Sequence, residues 1–215
     1  MSIAFRITRG PAQEKVVGRN ALDERLIEPD LDPTGAACAP GLYSVSSNRT
    51  SVMNGAMLLP EFDQEMATTR RVLERVPDGR LDFKPHPKSF SMLELASHIA
   101  NIPTWTGLTL TSTELDLAQD WERGTPKNRD EVVAGFDAAV AEARGALESA
   151  TSDDLMVGWT LKNGERTQFT IPRAAVLRSF VLSHLVHHRA QLGVYLRLVD
   201  VPVPSVYGPT ADEAM

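Results

Sequence analysis

His184 and His188 stand one helical turn apart in the stretch Ser183-His-Leu-Val-His-His188, and a third histidine of interest, His98, lies far upstream. On a helix that advances roughly 100° per residue, the first two fall about 40° apart. They share that face with Leu177, Phe180, Val181, Gln191, Leu192 and Tyr195, so both rings point inward. Burial disfavours the imidazolium form, which leaves two neutral rings, each with one acceptor nitrogen that needs a donor or a cation. A divalent ion satisfies both acceptors at once, although two ligands are too few for tight binding. A third ligand must come from another helix, and His98 is the histidine available on an inward stripe, with Leu95, Ile102 and Trp105. Three neutral imidazoles leave coordination positions open, as in a catalytic rather than a closed structural site. The competing reading keeps all three as hydrogen-bonded core histidines. His187 falls at the edge of the arc, and His86, between two prolines, reads as loop.

Several neighbours are weighed beside the histidines. Gln191, on the ligand face, is a candidate to touch a metal-bound water. Tyr195 on the same face could donate to a bound substrate, and Trp105 and Trp159 could line or roof the cavity, with ordinary core packing as the alternative for each. Glu94, one turn before His98, could accept its second ring N–H, but Ser91-Met-Leu-Glu94 is also a capping box, which is the favoured role. Arg189 is read as a partner for an acidic residue at an interface.

The elements that carry these residues follow from hydrophobic period. Leu59, Phe62, Met66, Thr69, Leu73 and Val76 line one face of a helix from about Pro60 to Arg75. A second helix starts at Ser91 and runs through His98 and Trp105, with Pro103 expected to kink it by removing a backbone donor. Beyond a polar linker from Glu114 to Lys127, Asn128 caps a third helix with Val132, Phe136, Val140, Ala143 and Leu147 on its apolar stripe. Asn163-Gly164 between two short alternating runs predicts a small β-hairpin. A fourth helix, from about Pro172 to Val199, bears the histidine pair, and Pro202 and Pro204 stop it. The expected fold is therefore all-α, an antiparallel four-helix bundle with one β-hairpin between helices three and four.

Composition narrows the function. The chain has 215 residues, enough for one ordinary domain plus something extra or for two small domains. A net charge of -6, without a clustered basic surface, argues against a dedicated nucleic-acid binder. No apolar run approaches the roughly 18 to 20 residues that cross a bilayer, so no membrane partner is expected. Cys38 is the single cysteine, which excludes an intramolecular disulfide and a cysteine-based zinc cluster and points to the cytoplasm. Residues 1–56 lack sustained periodicity and read as an irregular or disordered extension, and the sharp onset of pattern marks Met53 or Met57 as a candidate biological start. Residues 57–205 form the expected domain and residues 206–215 a C-terminal tail.

The text Ser183-His-Leu-Val-His-His188-Arg-Ala-Gln-Leu192 resembles the His-x-x-x-His-Arg-x-Gln-Leu signature of DinB-like proteins. The segment from Lys84 through His98 to Ala100 is similar to the start of that group's second helix, where a single histidine is a ligand. The resemblance covers about Met57 to Ser205 and implies a four-helix bundle. It also implies a zinc, nickel, manganese or iron ion on His98, His184 and His188, and frequent homodimers. Relatives of this kind include thiol S-transferases that use low-molecular-weight thiols, thiol-dependent isomerases and proteins described as metal-dependent hydrolases. The leading expectation is an enzyme that moves a small thiol onto an electrophile, with metal-dependent hydrolysis and a non-catalytic metal-binding stress protein as alternatives. Its partner is expected to be a small-molecule substrate.

Overall fold

The computed structural model describes residues 54–119 and 125–214. Cys38 and almost all of the stretch 1–56 read as an irregular extension lie outside the described residues, as do residues 120–124 of the expected linker.

The described chain opens in a 3-10 turn, Gly55–Leu58, capped by the Asn54 side chain, and continues directly into α1, Leu59–Leu73. Packing therefore begins just before residue 57. The Gly55 amide donates to the Ala150 carbonyl at 3.0 Å, and a Cβ at Gly55 would sit 2.2 Å from the Leu147 carbonyl oxygen. Pro60 occupies the first turn of α1, where its missing N–H costs nothing, and the expected stripe of Phe62, Met66, Thr69 and Leu73 is buried.

Helix α2, Met92–Asn101, starts at the Ser91/Glu94 capping box, with both reciprocal hydrogen bonds present. The kink expected at Pro103 is a full break: α2 ends, and α3, Thr104–Thr111, starts immediately after the proline. Helix α4, Arg129–Ser149, is capped by Asn128 and buries Val132, Phe136, Ala143 and Leu147. The short α5, Ser152–Met156, leads into β2, Gly158–Asn163, and β3, Arg166–Pro172, which pair antiparallel around Gly164 at φ 60°.

Two features correct the all-α expectation. Glu114–Asp116, read as linker, forms strand β1 parallel to β2, giving a three-stranded sheet in the order β1-β2-β3. The last helix is also not uniform. Helix α6, Arg173–Val176, passes into a π-helical segment, Leu177–Ser183, and then into α7, His184–Leu198. The fold is mostly helical, with a small mixed sheet.

Helix α4 packs against α1, α2 and α3, while α7 packs against α1 and α2. Between them lies one core that includes Phe62, Leu73, Leu95, Ile99, Phe136, Leu185, Leu192 and Leu196. Each such side chain contributes about 1.5–3 kcal/mol when fully buried. A second small core under the sheet contains Leu115, Trp159, Leu161 and Val176.

The segment set apart as a tail folds back on the helices. Asp200 turns the chain at φ 59°, a left-handed conformation that short polar residues tolerate. The Tyr207 hydroxyl then donates to Glu65 on α1 at 2.8 Å and accepts from Arg189 on α7 at 2.7 Å. Asp212 pairs with Arg197 and Glu213 with Arg71. Among the described residues, no helix is long and apolar enough to cross a membrane.

Candidate metal centre

The capping box at Ser91 sets where α2 starts and so which residues face α7; His98 is delivered to that face, half-buried. Helix α7 begins at His184 and presents His188 one turn on. The three rings meet. His98 Nε2 lies 3.3 Å from His184 Nε2, and His188 Nε2 lies 2.8 Å from His184 Nε2. One ligand nitrogen from each ring lies within 4.8 Å of the other two.

The opposite edge of each α7 ring decides which nitrogen holds the proton. His188 Nδ1 is 2.7 Å from Gln191 Oε1, an acceptor, so the proton sits on Nδ1 and Nε2 presents a lone pair. The His184 ring donates to the Phe180 backbone carbonyl. Its Nε2 already faces the other two histidines, so the donor is Nδ1 and Nε2 is again a lone pair. Phe180 lies in the π segment, at whose end the His184 amide donates to the Val181 carbonyl. π-Helical turns are rare and frequent at functional sites.

Two lone pairs 2.8 Å apart repel unless a proton or a cation lies between them. Protonation is disfavoured. Burial, the largest cause, holds both His184 and His188 below the ordinary imidazole value, and repulsion from His187 lowers both further. A cation satisfies the arrangement without that penalty. Ligand nitrogens about 2.0–2.1 Å from one ion lie roughly 2.9 to 3.4 Å apart, depending on whether the ligand angles are octahedral or tetrahedral. The observed spacings of 2.8 and 3.3 Å fit. His98, His184 and His188 can hold a metal ion.

The other residues singled out from sequence fall in different places. Gln191, expected near a metal-bound water, has its carbonyl oxygen on His188. Tyr195 is buried, and its hydroxyl donates to the Phe90 carbonyl at 3.2 Å, bracing the loop ahead of α2. Trp105 is half-buried and nearly parallel to Phe180, with centroids 6.3 Å apart. Trp159 is fully buried, with Nε1 donating to Ser112 Oγ at 3.2 Å. Glu94 takes the capping role: Ser91 N–H donates to it at 2.7 Å and Lys84 Nζ lies 3.3 Å away, which together hold its carboxyl below the usual range.

Arg189 finds its acidic partner inside the domain rather than at an interface. It is 2% exposed, lies 2.7 Å from Glu65 and donates to Thr69 Oγ1 at 3.1 Å. His187 is exposed, with its ring 4.8 Å from that of His188, and His86 Nδ1 accepts from the Lys88 amide in its loop. Sequence reasoning missed the Phe180 carbonyl, whose role depends on a π segment with no local sequence signal. It also missed Phe90, which lies 5.9 Å from the His98 ring and belongs to no periodic stripe.

This chain resembles solved structures of the same kind. A DinB-like protein from Bacillus cereus ATCC 10987 is 20% identical, with a TM-score of 0.54 over 70% of this chain and 95% of that one. A DinB-like protein from Bacillus subtilis is 18% identical, with a TM-score of 0.53 over 68% of this chain and 95% of that one. At these identities the likeness concerns the fold alone. No curated protein matches. The sequence profile of the DinB family matches residues 48–214, a span that encloses all three site histidines and the tail that folds back on α1 and α7. The chain belongs to the DinB family.

Proposed function

We propose that this protein holds a divalent metal ion, zinc, nickel, manganese or iron, on His98, His184 and His188, and uses it to transfer a low-molecular-weight thiol to an electrophile. The observation that carries the metal is the convergence of the His184 and His188 lone pairs, with both Nδ1 protons already committed to Phe180 and Gln191. A divalent ion with open positions lowers the pKa of a coordinated thiol, so that the nucleophilic thiolate is held at neutral pH. The three histidines supply the ligand nitrogens, and Gln191 and the Phe180 carbonyl orient two of the rings. The Phe90 ring packs beside His98. The scaffold in this reading is an antiparallel four-helix bundle whose arms are α1, the α2–α3 pair, α4 and the α6–α7 run.

One fact favours thiol transfer over hydrolysis: hydrolysis by activated water is helped by a positioned carboxylate base, and Glu94 is engaged by Ser91 and Lys84. A cytoplasmic homodimer is part of the same reading and rests on family membership.

The test is a panel of low-molecular-weight thiols offered with a test electrophile to metal-loaded and metal-stripped protein. Saturable, metal-dependent consumption of one thiol is the expected result. Metal binding without turnover or saturable thiol binding would leave a non-catalytic metal-binding stress protein as the better account, and turnover of an ester without thiol would support the hydrolase.

A further inference from the structure

We infer that Tyr195 is a positioning residue of the histidine cluster: from α7 its hydroxyl holds the Phe90 carbonyl, and through that tie it sets where α2 places His98 relative to His184 and His188. The consequence for a bound ion rests on the metal reading above, whereas the placement of His98 stands on the geometry alone.

Two of the rings have their relative position fixed by one helix. His184 and His188 both stand on α7, one turn apart. His98 comes from α2, so its distance from the pair depends on how α2 seats against α7. Leu95 and Ile99 of α2 share one apolar core with Leu185, Leu192 and Leu196 of α7. Apolar burial is non-directional, so it draws the helices together without fixing their register. A hydrogen bond does fix it. The Tyr195 hydroxyl donates to the Phe90 carbonyl at 3.2 Å, one residue before Ser91 caps α2. The Tyr195 ring also meets Phe83 edge-on, with centroids 6.0 Å apart.

Both residues that Tyr195 touches are built into the start of α2. The Phe83 carbonyl accepts from the Met92 amide at 2.9 Å, the Leu81 carbonyl from the Leu93 amide at 3.0 Å, and Ser91 Oγ from the Glu94 amide at 3.2 Å. These first-turn amides have no partner within the helix, and their bonds tie the loop to the helix start. His98 lies about 9 Å further along that helix. Phe90 gives a second, shorter route, since its ring lies 5.9 Å from the His98 ring with planes 33° apart. Side chains that act together at one site must be held within roughly 0.5 Å of their working positions. If His98 drifts, the two imidazoles of α7 are too few for tight binding. A tyrosine hydroxyl with only a packing role would change stability and leave the His98 ring where it is.

The experiment compares the full-length wild type with Tyr195→Phe and with Ser112→Ala, which removes a different hydrogen bond, the one from Trp159. In the metal-free protein, the nuclear Overhauser effect between the Phe90 and His98 rings should fall about twofold or more in Tyr195→Phe, the result of a shift of roughly 1 Å. It should stay unchanged in Ser112→Ala. Cobalt(II) affinity, read by competition against a chromogenic chelator, should drop about tenfold or more in Tyr195→Phe alone, with a changed visible spectrum. Phe90→Leu keeps the carbonyl but removes the ring; it should shift the His98 ring resonances and keeps the test open if Tyr195→Phe fails to fold. A displaced His98 in a protein that binds no cobalt(II) in any form supports the positioning role and counts against the metal reading alone. Three results would overturn the inference. The first is an unmoved His98 ring in Tyr195→Phe, or in Phe90→Leu where that variant alone folds. The others are Tyr195→Phe affinity equal to that of a cobalt-binding wild type, and an equal loss in Ser112→Ala.

Discussion

Gln191 Oε1 lies 2.7 Å from Nδ1 of His188, three residues earlier on α7. That contact decides which nitrogen of His188 carries its proton, and so which nitrogen faces His98 and His184.

Removing the acceptor should therefore weaken metal binding without unfolding the protein. Gln191→Leu is expected to lower metal affinity about ten- to a hundredfold, the usual cost of losing a hydrogen bond that orients a ligand histidine. Gln191→Glu, which keeps an acceptor at the same reach, should recover most of it. Competition against a chromogenic chelator measures both. Equal affinity in the leucine variant and the wild type would show that the contact does not set the tautomer.

Acid should destabilise the metal-free protein through the same two rings. Burial holds His184 and His188 below the ordinary value of 6.5, so between their folded values and 6.5 the unfolded chain binds more protons than the folded one. The stability in question is present above 6.5 and is lost as pH falls through that value towards the folded ones. Urea midpoints of the metal-free protein should fall from about pH 7.5 to about pH 5, and fall less when His184 and His188 are both replaced by alanine. An unchanged slope in the double variant would contradict the burial argument.

The buried pair of Arg189 and Glu65 ties α7 to α1, and Tyr207 closes the network from the tail. Arg189→Met leaves the 7%-exposed Glu65 without its cation and should cost about 3–5 kcal/mol. Tyr207→Phe removes only hydroxyl hydrogen bonds and should cost about 1–2 kcal/mol. Denaturant unfolding separates the two, and similar losses would show that the tail, rather than the ion pair, carries the link.

Gly55 touches the end of α4 so closely that any side chain must displace backbone. Gly55→Ala is expected to cost about 1–3 kcal/mol, read as a lower melting temperature. A variant as stable as wild type would mean that the 3-10 turn before α1 is free to move away from Leu147.

The histidine cluster was legible in sequence because its signal is periodic. His184 and His188 recur at helical spacing on an apolar face, and His98 lies on a stripe that starts from a recognisable cap. Pro103, Asn128 and the Asn163-Gly164 turn each act through backbone chemistry that depends only on local residue type, so they too could be read directly. Strand β1 could not. It has a single inward residue, Leu115, and pairs in parallel with a strand more than forty residues away, so nothing nearby in the chain announces it. The docked tail was hidden for a similar reason: Tyr207 meets Glu65 across 142 positions, while the nearby prolines suggested only that the helix stops. Tyr195 is buried as its stripe predicted, whereas Gln191, read as inward, is exposed, and helical phase does not say which acceptor or donor either side chain finds. Gln191 found His188 and Tyr195 found Phe90.

The most direct measurement is the metal content of the purified chain and of His98→Ala, His184→Ala and His188→Ala, by elemental analysis after equilibration with each candidate ion, with circular dichroism to verify folding. The expected result is about one tightly held divalent ion per wild-type chain and loss of that ion in each folded variant. A wild-type chain that retains no ion, or any single variant that keeps the full complement, would contradict the claim that these three imidazoles converge on one metal.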